Sequence, residues 1–449
     1  MEKENKLGTM PISKLIINMS LPIIISMLVQ ALYNIVDSVF VSRVCEQALT
    51  AVSLAFPAQN LMIGLATGTA VGVNALMGRA LGAKDQERAN AVAINGVFLA
   101  VVGFAICAVL ALLFAGPFFR SQTQIDYIVE NGTDYLLICC CGSLGLFCEI
   151  MFERLLQGTG RSILSMYTQG LGAIVNIVLD PVFIFVLDMG VTGAAVATVI
   201  GQFCGCILAL IFNLKKNKEI HLQFRGFRPN WRLVGNIYAI GLPSVIMVAI
   251  GSVMTFGMNK ILFVFTPTAT AVFGAYFKIQ SFVFMPIFGL NNGMVPIISY
   301  NYGAARPQRV WKTVRLSTIT AMVIMVLGFA IFQLFPSTLL GLFDASETML
   351  AIGDPALRII SFSFLLAGFC IIAGSVFQAI GNPVYSLIVS VCRQMVVLLP
   401  VAWLLSRTGR LELVWWSFPI AEVMSFTLST IFLRRTVKSA NEVMNSSAD

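Results

Sequence analysis

Residues 15–44 read LIINMSLPIIISMLVQALYNIVDSVFVSRV, an apolar run that carries one acid, Asp37. About 20 apolar residues at 1.5 Å each cross the hydrocarbon of a bilayer, so this run is long enough to span one. An ionisable group at that depth costs about 2.5–3.5 kcal/mol or more, which makes a polar cavity or a partner a requirement for Asp37. The plainer alternative is a neutral, hydrogen-bonded Asp37 with a packing role. The two readings are separated by what polar groups the later segments place at the same level.

Bulk composition sets the class. The chain has 449 residues, of which 58% are hydrophobic and 11% charged, with mean hydropathy +0.87. Soluble proteins carry about a quarter charged residues, so this is a polytopic all-α membrane protein. The opening MEKENKLGTMPISK is polar and has no small-residue cleavage pattern, so no cleaved signal peptide is expected. Cys139, Cys140 and Cys141 are consecutive on a helix and point in different directions, so they cannot share one metal. They read as small buried hydrophobes. The net charge of +8 does not indicate nucleic acid, because its placement follows membrane topology.

Twelve apolar spans follow from the length criterion: 15–44, 49–77, 91–115, 127–156, 162–187, 191–214, 233–264, 269–299, 310–334, 350–377, 385–405 and 411–432. Most lysines and arginines fall before span one or after the even-numbered spans two, four, six, eight and twelve; Lys3, Lys6 and Lys14 precede span one. The opposite loops hold Arg43, Arg120, Arg407 and Arg410. The positive-inside rule then puts both termini in the cytoplasm. The basic segment 215–232 reads as a cytoplasmic linker in contact with lipid headgroups.

The two halves repeat. Leu21-Pro22 recurs as Leu242-Pro243, a shift of 221 positions that also carries Gly68 and Gly72 to Gly289 and Gly293. The same shift carries Gly82-Ala83 to Gly303-Ala304, and Gln157 and Gly160 to Gln378 and Gly381. Six spans return the chain to its starting side, so the repeats are parallel. The expected architecture is two pseudo-symmetric six-helix bundles, residues 1–214 and 233–449, joined by the linker 215–232 and suited to alternating access. Pro22 and Pro181 remove backbone bonds within spans one and five, as fixed kinks or as hinges. Gly64, Gly68 and Gly72 share one face of span two and read as a close helix contact.

Depth brings the polar groups together. Counted from the outer ends of their spans at 1.5 Å per residue, Asp37, Asp180 and Thr198 each lie ~10 Å deep and Tyr135 ~12 Å. Asn176 is one turn from Asp180 on the same face. Four helices thus offer two carboxylates, an amide, a hydroxyl and a phenol at one level. Hard oxygen ligands without His or thiolate suit a proton or Na⁺. Two carboxylates at one level oppose each other's charge, which suits proton carriage. The rival reading is a buried network that only fixes helix register.

Taken with LPIIISMLVQALYNIVDSVFVSR, GRALGAKD, LLQGTGRSILSMYTQGLGAIVNIVLDPVFIF and GLNNGMVPIISYNYGA, this pattern resembles the multidrug and toxic compound extrusion (MATE) family over essentially the whole chain. The resemblance is greatest to the branch of DNA-damage-inducible protein F. It implies twelve helices in two bundles, export of drugs in exchange for H⁺ or Na⁺, no cofactor, and a monomer in the plasma membrane. It implies a cation-coupling site at Asp37, Tyr135, Asn176, Asp180 and Thr198, and a helix that bends about Pro22. Another branch carries acids on helices seven and ten; here span seven has Lys260, and Asp354 is the only acid of span ten, near its mouth, which weakens a second-bundle Na⁺ site.

Lys278, Arg393 and Glu422 lie within spans eight, eleven and twelve. Glu422 is expected to pair with Lys278 or Arg393, either structurally or as a second relay. Glu149 and Glu153 share one face of span four; Glu153 is a candidate partner for Arg154 or Arg161, or a vestibule residue. The cargo expected is a small amphipathic, often cationic molecule held among Phe and Met side chains, with membrane lipid as the only other partner. The alternative is a flippase for a lipid-linked precursor, which needs inward cations that the first bundle lacks mid-membrane. An enzyme is not indicated: no Gly-x-Gly-Asp motif or Gly-x-x-x-x-Gly-Lys loop occurs, and the sole histidine, His221, lies in the linker.

Overall fold

The computed structural model describes residues 5–343 and 345–446, apart from the side chain of Glu46; Lys3 lies outside these residues. Among the described residues every regular element is helical. A short α1 (Lys6–Thr9) is followed by α2 (Ile12–Ser42), α3 (Glu46–Gly82), α4 (Gln86–Gln122), α5 (Asp126–Cys141) and α6 (Leu144–Gly158). Next come α7 (Ser162–Pro181), α8 (Gly190–Lys215), α9 (Trp231–Phe263), α10 (Pro267–Gly303), α11 (Pro307–Leu334) and a short α12 (Pro336–Gly341). The chain ends with α13 (Glu347–Ser361), α14 (Phe364–Ile380), α15 (Pro383–Val391), α16 (Leu399–Ser406), α17 (Leu411–Trp415) and α18 (Ser417–Ser446). Ten continuous stretches are long and apolar enough to span a membrane, and two bent pairs complete twelve transmembrane helices.

The two bent pairs are spans four and ten. α5 and α6 meet at 44°, and α13 and α14 at 50°. Each break holds a serine that bonds back three residues: Ser143 Oγ donates to the Cys140 carbonyl at 2.6 Å, and Ser363 Oγ to that of Ile360 at 2.7 Å. A hydroxyl that offers the backbone a local alternative weakens the helix where it sits. Span five is also interrupted: α7 stops at Pro181 and continues as a π-helical turn, Val182–Val186, because proline cannot supply the next backbone donor.

The repeat is written into the backbone. Gly160 and Gly381 both adopt positive φ, 87° and 94°. Each is followed by the same closing bond, Arg161 N to Leu156 O and Asn382 N to Phe377 O, both at 2.7 Å. A left-handed residue at a helix end favours glycine, which explains its recurrence there. Lys84 and Ala305, also a repeat apart, take positive φ of 59° and 53° without being glycine.

The described residues fall into two compact units, one holding those through Met10 with Ile17–Val245, the other Pro11–Ile16 with those from Ile246 onward. In the first, the early turns of α9 pack on α3. A Cβ on Gly72 would collide with the Ile237 carbonyl, and one on Gly241 would lie 2.6 Å from that of Gly68. The linker is pinned to α4 by side-chain amides: Asn90 Oδ1 accepts from His221 N at 2.8 Å, and Asn95 Oδ1 from Asn230 N at 3.0 Å. α7 and α8 meet through Gly172 and Gly201, where a Cβ on Gly201 would sit 2.7 Å from the Gly172 carbonyl. Small residues permit this backbone contact, and it brings short polar side chains on the two helices within reach of one another. The second unit is packed around buried aromatics, with Phe273 edge-on to Phe277 at 4.7 Å and near Trp415 and Phe418.

Candidate functional site

α7 and α8 build the centre of the site. Asn176 and Asp180 are 2% and 0% exposed, an amide and an acid in an apolar bundle that must find partners. With its amide oriented to satisfy both neighbours, Asn176 donates to Asp180 Oδ2 at 3.2 Å and accepts from the Thr198 hydroxyl at 3.1 Å. These three residues therefore form one hydrogen-bonded line across two helices.

Asp37 and Tyr135 approach from α2 and α5. Neither is hydrogen-bonded to the line, but Asp37 is close enough for its charge to act on both Asp180 and Tyr135. Asp37 Oδ1 is buried and has no hydrogen-bond partner among the described residues. An acceptor in that condition costs about 1–3 kcal/mol, more when charged, which a bound cation or a proton would offset. Tyr135 is buried, and Gln59 Nε2 on α3 reaches its hydroxyl at 3.4 Å.

Gln59 was not singled out from the sequence, and neither were Gln30, Tyr33, Gln169 and Gln202. These side chains share a cavity of about 90 Å³ with Asn176 and Thr198, Gln59 excepted. Gln169 Nε2 donates to Gln30 Oε1 at 3.2 Å. The available signal was an amide in mid-span, which hydrocarbon does not tolerate without a partner. Pro22 lies apart from the site, inside the unbroken α2, where Ser26 Oγ donates to its carbonyl at 3.0 Å.

The second polar cluster is only partly assembled. Arg393, in a π-helical segment Cys392–Leu398, lies 3.3 Å from Glu422 on α18. Of the two expected cations, Arg393 is the one at Glu422; the Lys278 ammonium sits over the Phe343 ring at 5.8 Å. Glu422 is 4% exposed and its Oε1 has no partner among the described residues. Arg154, offered above as a partner for Glu153, instead donates to Gln157 Oε1 at 3.0 Å, and Glu153 accepts from the Thr168 hydroxyl at 2.9 Å.

Comparison with known proteins gives one family. Its sequence profile, described as MatE, matches twice, at residues 22–182 and 243–404. The multidrug export protein MepA of Staphylococcus haemolyticus (strain JCSC1435) is 26% identical over 92% of this chain and 91% of its own. An FAD transporter of Shewanella oneidensis is 25% identical over 94% and 95%. Among solved structures, an outward-facing multidrug-resistance MATE transporter of the MOP superfamily matches with TM-score 0.91 and 26% identity, over 98% of this chain and 99% of that one.

Proposed function

The chain belongs to the MatE family, whose members are transporters rather than enzymes, and from that premise we propose that it exports amphipathic, often cationic, drugs or metabolites in exchange for H⁺ or Na⁺. The observation that carries the coupling is the buried, unpartnered Asp37 Oδ1, taken with the hydrogen-bonded Asn176–Asp180–Thr198 line. A cation entering from outside joins Asp37 and Asp180, with Tyr135, Asn176 and Thr198 as neutral oxygen and amide neighbours. Its binding shifts the balance between inward-open and outward-open forms, because it has different affinity for each. α2 bends about Pro22 as this happens. The chain works as a monomer in the plasma membrane, with both termini in the cytoplasm, as the basic loops favour. Arg393 and Glu422 form a structural ion pair or a second polar relay or cargo contact, with Lys278 apart from them. The coupling layout is that of the DNA-damage-inducible protein F branch.

The test is efflux of a fluorescent organic cation from pump-deficient bacterial cells, wild type beside Asp37→Asn at matched expression. Efflux that needs an ion gradient and collapses in the variant is expected. Efflux that survives the substitution would move coupling elsewhere. Because one relative carries FAD, the flavin dinucleotide belongs beside the dyes as a cargo.

A further inference from the structure

Along α7, Thr168, Gly172, Asn176 and Asp180 recur every fourth residue, one face of the helix over ~18 Å. Asp180 and Asn176 belong to the proposed coupling site. The lower two positions meet a pair of acids on α6. Thr168 bonds Glu153, and Gly172 faces Glu149, whose Oε1 would touch a Cβ there at 3.4 Å. On α8, Gly205 completes the notch: a Cβ at that position would overlap the Glu149 carboxylate. Thr198, Gly201 and Gly205 share a face of α8, so the hydroxyl at the coupling site and the notch lie on one line.

Glu149 is 8% exposed and accepts no hydrogen bond from a described residue. Its carboxylate looks into the cavity lined by Gln30, Tyr33, Gln169 and Gln202, and that cavity runs on to Asn176 and Thr198. No lysine or arginine lines it. The titratable groups around Glu149 are Glu153 on its own helix, Tyr33 on α2, and Cys204 and Cys206 on α8; Arg154 lies beside Glu153 and is bonded to Gln157. Glu153 has the Thr168 hydroxyl and Arg154 beside it, whereas Glu149, in a cavity with no cation, has its desolvation and the repulsion from Glu153 uncompensated.

We propose that Glu149, in the notch formed by Gly172 and Gly205, is a second monovalent-cation site, to which the coupling ion passes from the Asp37–Asp180 level. The inference rests on the coupling role proposed for that level. A proton moves by breaking one O–H bond at the upper carboxyl group and forming one at the Glu149 carboxylate through water in the cavity, with no change of electrons. Na⁺ moves without any covalent change, ligated by the carboxylate and the amide oxygens. In the proposed orientation the step is inward, toward the Ser162 end of α7.

Infrared difference spectra of the purified full chain, wild type beside Glu149→Gln, test the site without requiring transport. A carboxylic-acid C=O band that appears on acidification, absent in the variant, assigns a proton there; a carboxylate shift on adding NaCl, absent in the variant, assigns Na⁺. Spectra of Glu149→Gln that match wild type under both additions would overturn the proposal. In proteoliposomes, Glu149→Gln should keep dye–dye exchange and lose gradient-driven accumulation by about tenfold or more. Gly205→Ala removes no charge, displaces the carboxylate and should show the same split. Equal loss of exchange and driven transport in Glu149→Gln, with Gly205→Ala unaffected, would also count against the site. No transport by wild type, with the Glu149 band intact, would sink the exporter reading and leave the cation site supported.

Discussion

Gly68 on α3 and Gly241 on α9 approach backbone to backbone: a Cβ built on Gly68 would lie 2.9 Å from the Gly241 carbonyl oxygen, and one built on Gly241 would lie 2.6 Å from that of Gly68. Neither obstacle is the end of a flexible side chain, so the helices must separate to admit a methyl group. Gly241→Ala should therefore destabilise the first unit by about 1–3 kcal/mol, the range for overpacking a tight contact. Thermal unfolding of the purified protein in detergent, followed by intrinsic fluorescence, checks this. An unchanged midpoint would mean that α9 does not hold to α3 at this point.

Two donors hold the Asn176 amide oxygen at 3.1 Å, the Thr198 backbone N–H and the Thr198 hydroxyl, which leaves the amide nitrogen for Asp180; the hydroxyl is the donor a side-chain change can remove. Thr198→Val keeps the shape and removes that donor, at a cost of about 1–3 kcal/mol to the order of the site. The coupling-ion concentration for half-maximal efflux should rise about tenfold, since 1.4 kcal/mol is a factor of ten. Thr198→Ser, which restores the hydroxyl, should return it close to wild type. A Val variant indistinguishable from wild type in an ion titration of efflux would remove Thr198 from the site.

In the second unit the Arg393–Glu422 pair is lopsided, with side chains 39% and 5% exposed. Arg393→Met strands a buried carboxylate, whereas Glu422→Gln leaves a cation that is only partly buried. The first should cost about 3 kcal/mol, the low end for breaking a buried pair given the exposure of Arg393, and the second about 1 kcal/mol. The order of the two melting temperatures checks the asymmetry; the reverse order would show that Glu422 is held mainly by something other than Arg393.

How far the sequence went depends on the period of each signal. Span number and the repeat were readable because each rests on many residues: ~20 apolar positions per span, and one offset shared by Gly160 and Gly381, whose positive φ makes glycine the favoured residue. The alignment of Asn176 with Asp180 was readable from helical spacing, and its junction to Thr198 from depth. The breaks in spans four and ten were not, because a single serine bonding back to a carbonyl is indistinguishable in sequence from the many serines that do so in unbroken helices, such as Ser38 and Ser53. Gln59, Gln30 and Gln202 were missed because a lone mid-span amide does not name its partner; the rotation of each helix decides that. The continuation of the first unit into α9 was equally hidden, since Gly241 has no neighbour in sequence that marks it as a contact.

Lys6 offers a test outside the membrane-spanning helices. It sits on α1, donates to Asn18 Oδ1 at 2.6 Å, and shares a recess with Arg161, Lys216, Lys218 and one acid, Glu219. Burial, and then the Arg161 charge, lower its pKa from the ordinary 10.5. A lysine whose folded pKa lies below its unfolded value binds fewer protons folded than unfolded between the two values. Stability therefore rises with pH across that window, and below it the cost of holding the charged ammonium is present in full. Lys6→Gln keeps a donor for Asn18 and removes the charge. It should melt higher than wild type at neutral pH, and the advantage should shrink as pH climbs toward 10.5. Melting curves of the two proteins across that range decide it: a gap that widens with rising pH would mean that Lys6 is held in its charged form by an anion in the recess, not tolerated there despite its charge.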